Sequence, residues 1–157
     1  MRRSGSARRR RSSAAAVVAA LLLAGFSGCG EDDPFADYCA EVEEQQKPLS
    51  EAFAGGGPTA LIEALPSFQA LQEKSPGDIS DEWGLLVGRI ETLVEALDAA
   101  GVDAATYDRD APPEGLSDDE KTAIDAAAGE LATPATAAAL EGVQQQARDV
   151  CKAPLSF

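Results

Sequence analysis

The sequence predicts an all-α domain at residues 34–157, folded as a small bundle of four to five helices. Three observations support this fold class. Apolar residues after position 33 recur at steps of three, four and seven, which places them on one face of a helix. Proline and glycine interrupt this pattern at intervals typical of helix boundaries. No run of alternating β-branched residues, the pattern of a strand, follows Cys29.

The first two helical segments are bounded by proline and glycine. Asp33 is the expected N-cap of the first helix and Pro34 its first residue, while Pro48 should bend it and 55–57, three glycines, should end it. The second segment restarts after those glycines, and Pro66 should kink or divide it. The predicted inward residues are Phe35, Tyr38, Cys39, Val42, Leu49 and Phe53, then Leu61, Ile62, Leu65, Phe68 and Leu71.

The third helix has the clearest apolar face and should end at Gly101. Ser117 and Glu120 form the S-x-x-E pattern of a capping box, which predicts the start of the fourth helix. Thr133 and Pro134 provide a cap and a first residue for the last helix, and Pro154 should stop it. The predicted inward residues are Trp83, Leu86, Val87, Ile90, Leu93, Val94 and Leu97, then Ile124 and Leu131, then Leu140, Val143, Ala147, Val150 and Cys151.

Residues 1–28 have the organisation of a signal peptide. Six arginines lie in the first eleven residues and no acidic residue precedes Glu31, so the segment begins strongly positive. The apolar run 14–26 that follows is shorter than the about 20 residues that a membrane-spanning helix needs. A short apolar run after a basic segment is typical of an export signal. An uncleaved membrane anchor and a basic arm for nucleic acid are the alternatives.

The residues that close the apolar run, Phe26-Ser27-Gly28-Cys29, resemble a bacterial lipobox, although Phe26 stands where that pattern usually has Leu. The resemblance implies that Cys29 takes a diacylglycerol and that the chain is cut in front of it. Residues 29–33 are then the lipidated cysteine and a short tether. The expected location is the extracytoplasmic face of the cell membrane, with the lipid as the membrane partner. An ordinary secreted protein cut elsewhere is the alternative.

Two cysteines remain for the exported domain, Cys39 near its start and Cys151 near its end. In an oxidising compartment such a pair predicts a disulfide, here joining the first helix to the last. A catalytic thiol or a metal site is the alternative reading. Neither cysteine belongs to a C-x-x-C motif, and the chain has no histidine to accompany them.

A second resemblance extends over most of the helical domain. Tyr38-Cys39-x-x-Val42, Asp81-Glu82-Trp83 and Arg148-Asp149-Val150-Cys151 resemble, in that order, segments of small uncharacterised lipoproteins of high-GC actinobacteria. This resemblance implies export, lipidation and the disulfide. It implies no activity, because such proteins have no established one.

Composition narrows the function of the domain. After Gly28 the chain has seven basic and 27 acidic residues, a formal net charge of −20, which argues against nucleic acid as a partner. The absence of histidine excludes Ser-His-Asp and Cys-His catalysis. An acidic loop at Asp108, Asp110 and Glu114 approaches a calcium-binding pattern, but Pro113 stands at the position that requires glycine.

We therefore expect no catalytic residue, no cofactor and no metal site. The predicted function is a non-enzymatic binding or structural module of the cell envelope, with an envelope protein as a possible partner of unknown identity. A lipoprotein that binds a small ligand or a cation is the alternative.

Overall fold

The structure, a computed structural model, describes residues 33–57 and 59–157. The predicted signal peptide and Cys29 lie outside the described residues. Within those ranges the chain forms six helices and no strand, which confirms the all-α prediction. The helices are α1 (Ala36–Ala54), α2 (Ala60–Glu63), α3 (Leu65–Lys74), α4 (Ser80–Ala99), α5 (Asp118–Leu131) and α6 (Pro134–Asp149).

Side-chain contacts give the relative directions of the helices. Gln69 of α3 donates a hydrogen bond to Glu91 of α4, and further along α3 the Gln72 side chain lies beside Gly84. Because one series of residue numbers rises while the other falls, α3 and α4 are antiparallel.

The helices α5 and α6 follow one another along α4. Arg89 contacts Glu130 near the end of α5, and Glu82, nearer the start of α4, lies against Gly142 in the middle of α6. The domain is therefore an up-and-down bundle of four helical segments. Two of these segments are each divided into two helices, one into α2 and α3 and the other into α5 and α6.

Proline explains both breaks. Pro66 is the second residue of α3, and the single residue Ala64 separates α3 from α2, so the second predicted segment is divided. Pro134 opens α6 after the Thr133 cap, as predicted. A proline has no N–H for the preceding helix to use and fits best in a first turn. The division at Pro66 brings the number of helices to six.

The start of α1 differs from the prediction by two residues. The Asp33 carboxylate accepts the N–H of Phe35 at 2.9 Å, and the Asp33 carbonyl accepts the N–H of Ala36 at 3.0 Å. These bonds close a turn that is tighter than an α-helix, so α1 begins at Ala36 and Pro34 lies in the turn before it. Pro48 lies inside α1 on its exposed face, where solvent can hydrogen-bond the carbonyl it leaves free.

The end of α4 is closed by Gly101, as predicted. Gly101 has a φ of +66°, and its N–H donates to the Asp98 carbonyl at 2.9 Å. The next N–H, that of Val102, reaches the Leu97 carbonyl at 2.9 Å. This pair of bonds is a Schellman motif, and the Val102 side chain packs on Leu97 as the motif favours.

Two apolar clusters fill the bundle. The larger lies around Trp83, Phe68, Leu49 and Tyr38, each no more than 1% exposed. The smaller lies between the end of α4 and α5, around Leu97, Val102 and Ile124. Most predicted inward residues belong to one of these clusters, and Thr136 and Ala139 of α6 are buried in addition to those predicted.

Candidate functional site at the disulfide-bonded end

The predicted disulfide joins Cys39 to Cys151, with their Cα atoms 5.0 Å apart. Cys39 lies in the first turn of α1. Cys151 was expected on the apolar face of the last helix, but it lies two residues beyond the end of α6. Its N–H still donates to the Ala147 carbonyl at 3.1 Å. The bridge therefore connects the start of α1 to the segment that follows α6. In the chain-entropy model, closing a loop of this length stabilises the fold by about 5 kcal/mol.

Residues 150–157, here called the C-terminal strap, follow α6. The prediction had the last helix continue through Cys151 and stop at Pro154. The helix ends at Asp149, five residues before Pro154, and Lys152 adopts a φ of 56° that turns the chain away from the helix axis. Ala153 and Leu155 are buried in the main core. Pro154 is thus not the residue that stops the last helix.

The strap runs beside α1. The Gln46 side chain donates to the Pro154 carbonyl at 2.9 Å, and the Phe157 ring lies 5.7 Å from the Phe53 ring, centre to centre. Along α1, Gln46 lies seven residues after Cys39 and Phe53 seven residues after Gln46, and each step is a rise of about 10.5 Å. Their partners in the strap are Cys151, Pro154 and Phe157, which are three residues apart and about 10 Å apart when the chain is extended. The strap is therefore extended and parallel to α1.

Tyr38 and Trp83 form a buried polar contact at the same end of the domain. The Trp83 indole N–H donates to the Tyr38 hydroxyl at 3.1 Å, and both side chains are at most 1% exposed. Burial raises the pKa of Tyr38, while the Trp83 hydrogen bond lowers it and the charge of Asp78 raises it further. The hydroxyl therefore stays protonated near neutral pH and holds α1 against α4.

A second polar cluster lies where α5 meets α6. The Arg89 guanidinium donates to the Thr133 hydroxyl at 2.6 Å, to the Glu130 carbonyl at 3.1 Å and to the Thr136 hydroxyl, and it forms an ion pair with the Glu130 carboxylate at 3.1 Å. A guanidinium donates hydrogen bonds and accepts none, so it cannot act as a base toward these hydroxyls. The cluster satisfies the free carbonyl at the end of α5 and joins that end to α4.

The acidic loop between α4 and α5 uses its carboxylates locally. The Asp103 side chain accepts the N–H of Ala105 at 2.9 Å, and the Asp108 side chain accepts the N–H of Asp110 at 2.8 Å. Both are turns closed by an aspartate. Among residues 33–57 and 59–157, no three His, Cys, Asp or Glu side chains are grouped so that they could hold a metal ion.

The capping box at the start of α5 is present as predicted. The Ser117 hydroxyl accepts the Glu120 N–H at 3.3 Å, and the Glu120 carboxylate accepts the Ser117 N–H at 2.8 Å. The hydrogen bonds from the Ser117 hydroxyl and backbone lower the pKa of Glu120. The three acidic residues that begin this helix are thus explained by capping and by the helix dipole.

The disulfide and the caps of α5 and α6 are predictable from the sequence, whereas the strap, the Arg89 cluster and the Tyr38–Trp83 contact were not predicted. The one available signal for that contact was that both residues lie on apolar faces, where a hydroxyl and an indole N–H need partners.

None of the helices in the described ranges has the length and apolar character that crossing a membrane requires. Searches of protein-family models, of curated proteins and of solved structures found no match to this chain.

Proposed function

We propose that this chain is an exported lipoprotein, held on the extracytoplasmic face of the cell membrane by lipid on Cys29. The observation that carries the proposal is the use of its three cysteines. Two of them, Cys39 and Cys151, pair within the domain, and disulfides of this kind are typical of proteins outside the cytoplasm. The third, Cys29, is the one in the lipobox-like segment, directly after a signal-like apolar run.

We further propose that the domain is a non-enzymatic module that binds another envelope component close to the membrane. The chain has no histidine. The polar cluster around Arg89 joins α4 to the end of α5, and the cluster around Ser117 caps the start of α5. The acidic loop at Asp108 offers no grouped ligands, so a cation-binding role has no support among the described residues.

The short tether supports action near the membrane. Four residue steps separate Cys29 from Asp33, where the first turn begins, and a fully extended chain covers at most about 14 Å over that distance. Unfolding of the first turn can lengthen the tether only as far as Cys39, because Cys39 is bonded to the strap. Even with all residues before it unfolded, the ten steps from Cys29 to Cys39 span at most about 35 Å.

Replacement of the lipidated cysteine tests the anchor. We expect the natural protein to incorporate an alkyne-bearing palmitate analogue and to remain in washed membranes. Cys29→Ala should lose the label and either be released or stay as an uncleaved precursor, since no acyl chain can be attached. The matched control is the double variant Cys39→Ala, Cys151→Ala, which should keep the label. A Cys29→Ala protein that matures normally and stays in the membrane would refute the proposal.

Lengthening the tether tests the membrane-proximal role. A flexible insertion of 20 residues after Gly30 adds about 25 Å of mean reach. We expect crosslinking in intact cells to a membrane partner to decrease with this insertion. A control insertion of the same sequence in the exposed loop at Gly55 leaves the tether unchanged and should preserve crosslinking. Equal crosslinking by all three proteins would contradict a role close to the lipid surface.

A further inference from the structure

A cavity of about 140 Å³ lies in the half of the bundle that is remote from the disulfide, between α2, α4, α5 and the loop 102–116. Leu97, in its wall, is 14 residues along α4 from Trp83, which contacts the start of α1, so the cavity lies about 21 Å from that end. Most of its lining is apolar and is formed by Ile62, Leu93, Leu97, Ala104, Ile124 and Ala128.

Polar groups occur in the lining as well, and two of them neutralise each other. The Arg109 guanidinium forms an ion pair with the Asp125 carboxylate at 2.8 Å, with 66% and 45% of these side chains exposed. Tyr107 and Thr59 complete the lining. The ion pair fastens the loop to α5 from the solvent side, so it marks the opening of the cavity and not its interior.

Residues of α4, of α5 and of the loop 102–116 form three walls of the cavity. Leu97 is held by the Schellman motif at the end of α4, and Ile124 lies on the helix that the Ser117 capping box starts. The third wall, from the loop, includes the half-buried residues Ala104 and Tyr107. The Arg109–Asp125 ion pair at the opening is exposed and contributes only about 0 to 1 kcal/mol, so breaking this pair to admit a ligand costs little.

We propose that this cavity binds a small uncharged apolar molecule, the size of one aromatic ring or of a short aliphatic chain. A cavity of about 150 Å³ with aliphatic and aromatic walls is known to accept benzene, which sets the size class. The domain carries a formal charge of −20 after Gly28, and Arg109 is already paired with Asp125, so an anion is disfavoured. This site goes beyond the proposed membrane anchor and does not depend on it.

Methyl NMR of the purified full-length protein tests the site, in lipid nanodiscs if the protein is lipidated and in buffer if it is not. We expect benzene and benzyl alcohol to shift the methyl signals of Leu97 and Ile124 with a Kd of about 1 mM or below, and to leave that of Leu49 unchanged. Benzoate should bind at least tenfold more weakly. No saturable shift with either neutral probe, or equal binding of benzoate, would overturn the proposal.

Filling the cavity provides the matched comparison. Ala128→Leu adds three carbon atoms at the wall, whereas Ala126→Leu adds the same atoms on the exposed face of α5. We expect the first change to weaken benzene binding at least tenfold and the second to leave it unchanged. Ala104→Leu, which fills the cavity from the loop, repeats the test if Ala128→Leu does not fold. Unweakened binding in a folded filled variant, or lost binding in Ala126→Leu, would overturn the assignment.

Discussion

Removal of the disulfide should lower the stability of the domain by a measurable and bounded amount. The bridge joins residues 112 apart, and the entropy model assigns such a closed loop about 5 kcal/mol, although measured values are commonly lower. We therefore expect the double variant Cys39→Ala, Cys151→Ala to lose about 2 to 5 kcal/mol of the free energy of unfolding. With a urea m-value of about 2 kcal/mol/M, the unfolding midpoint should fall by about 1 to 2.5 M.

Fluorescence of Trp83 provides the assay, because it is the one tryptophan of the chain and is fully buried. Urea titrations should compare the oxidised protein, the same protein reduced with dithiothreitol, and the double variant. The last two should coincide, since both lack the bridge. A midpoint change below about 0.3 M in both would refute the argument that the bridge secures the strap and α1.

Two further predictions concern single hydrogen bonds. Tyr38→Phe leaves the buried Trp83 N–H without its acceptor and should cost about 1 to 3 kcal/mol at pH 7, whereas the control Tyr107→Phe on the half-buried loop should cost little. Because folding raises the pKa of Tyr38, the stability that its hydroxyl contributes is complete below about pH 10 and is lost as the pH rises through the pKa of the folded state. The urea midpoints of the natural protein and of Tyr38→Phe should therefore converge above that pH. Ser117→Ala removes the cap of α5 and should cost about 1 kcal/mol. Since the pKa of Glu120 is lowered by Ser117, this cost should decrease as acid protonates Glu120 below about pH 4; a cost that is equal at pH 7 and pH 3 would contradict the reciprocal cap.

Local patterns predicted most of the helices. The spacing from Trp83 to Leu97 placed α4 correctly, and Ser117 and Thr133 marked the starts of α5 and α6 because a cap depends on neighbouring residues alone. Gly101 was found for the same reason, since a left-handed residue after a helix favours glycine. The disulfide was predicted from the number of cysteines and from the expected compartment, and the bond between Cys39 and Cys151 confirms the pairing.

Features that depend on distant partners were not predictable in the same way. Lys152 takes a left-handed conformation that its sequence does not favour, and the turn brings Leu155 into a core built by other helices. The side chain of Thr136 is buried, and its hydroxyl accepts a hydrogen bond from Arg89, which lies 47 residues earlier in the chain. The cavity beside Ile124 arises from how α2 and the loop pack on α4, and no local pattern reports that packing.

The position of Cys39 has a mechanical consequence for a domain anchored through Cys29. A force that pulls the domain from the membrane acts first on residues 33–38, before it reaches the covalent bond between Cys39 and Cys151. Beyond that point, the load is shared between α1 and the strap, because Cys39 belongs to α1 and is bonded to Cys151. Under the proposed anchor, a pull on the tether must therefore displace the start of α1 and the strap together, so the bridge couples the two ends of the domain against such a pull.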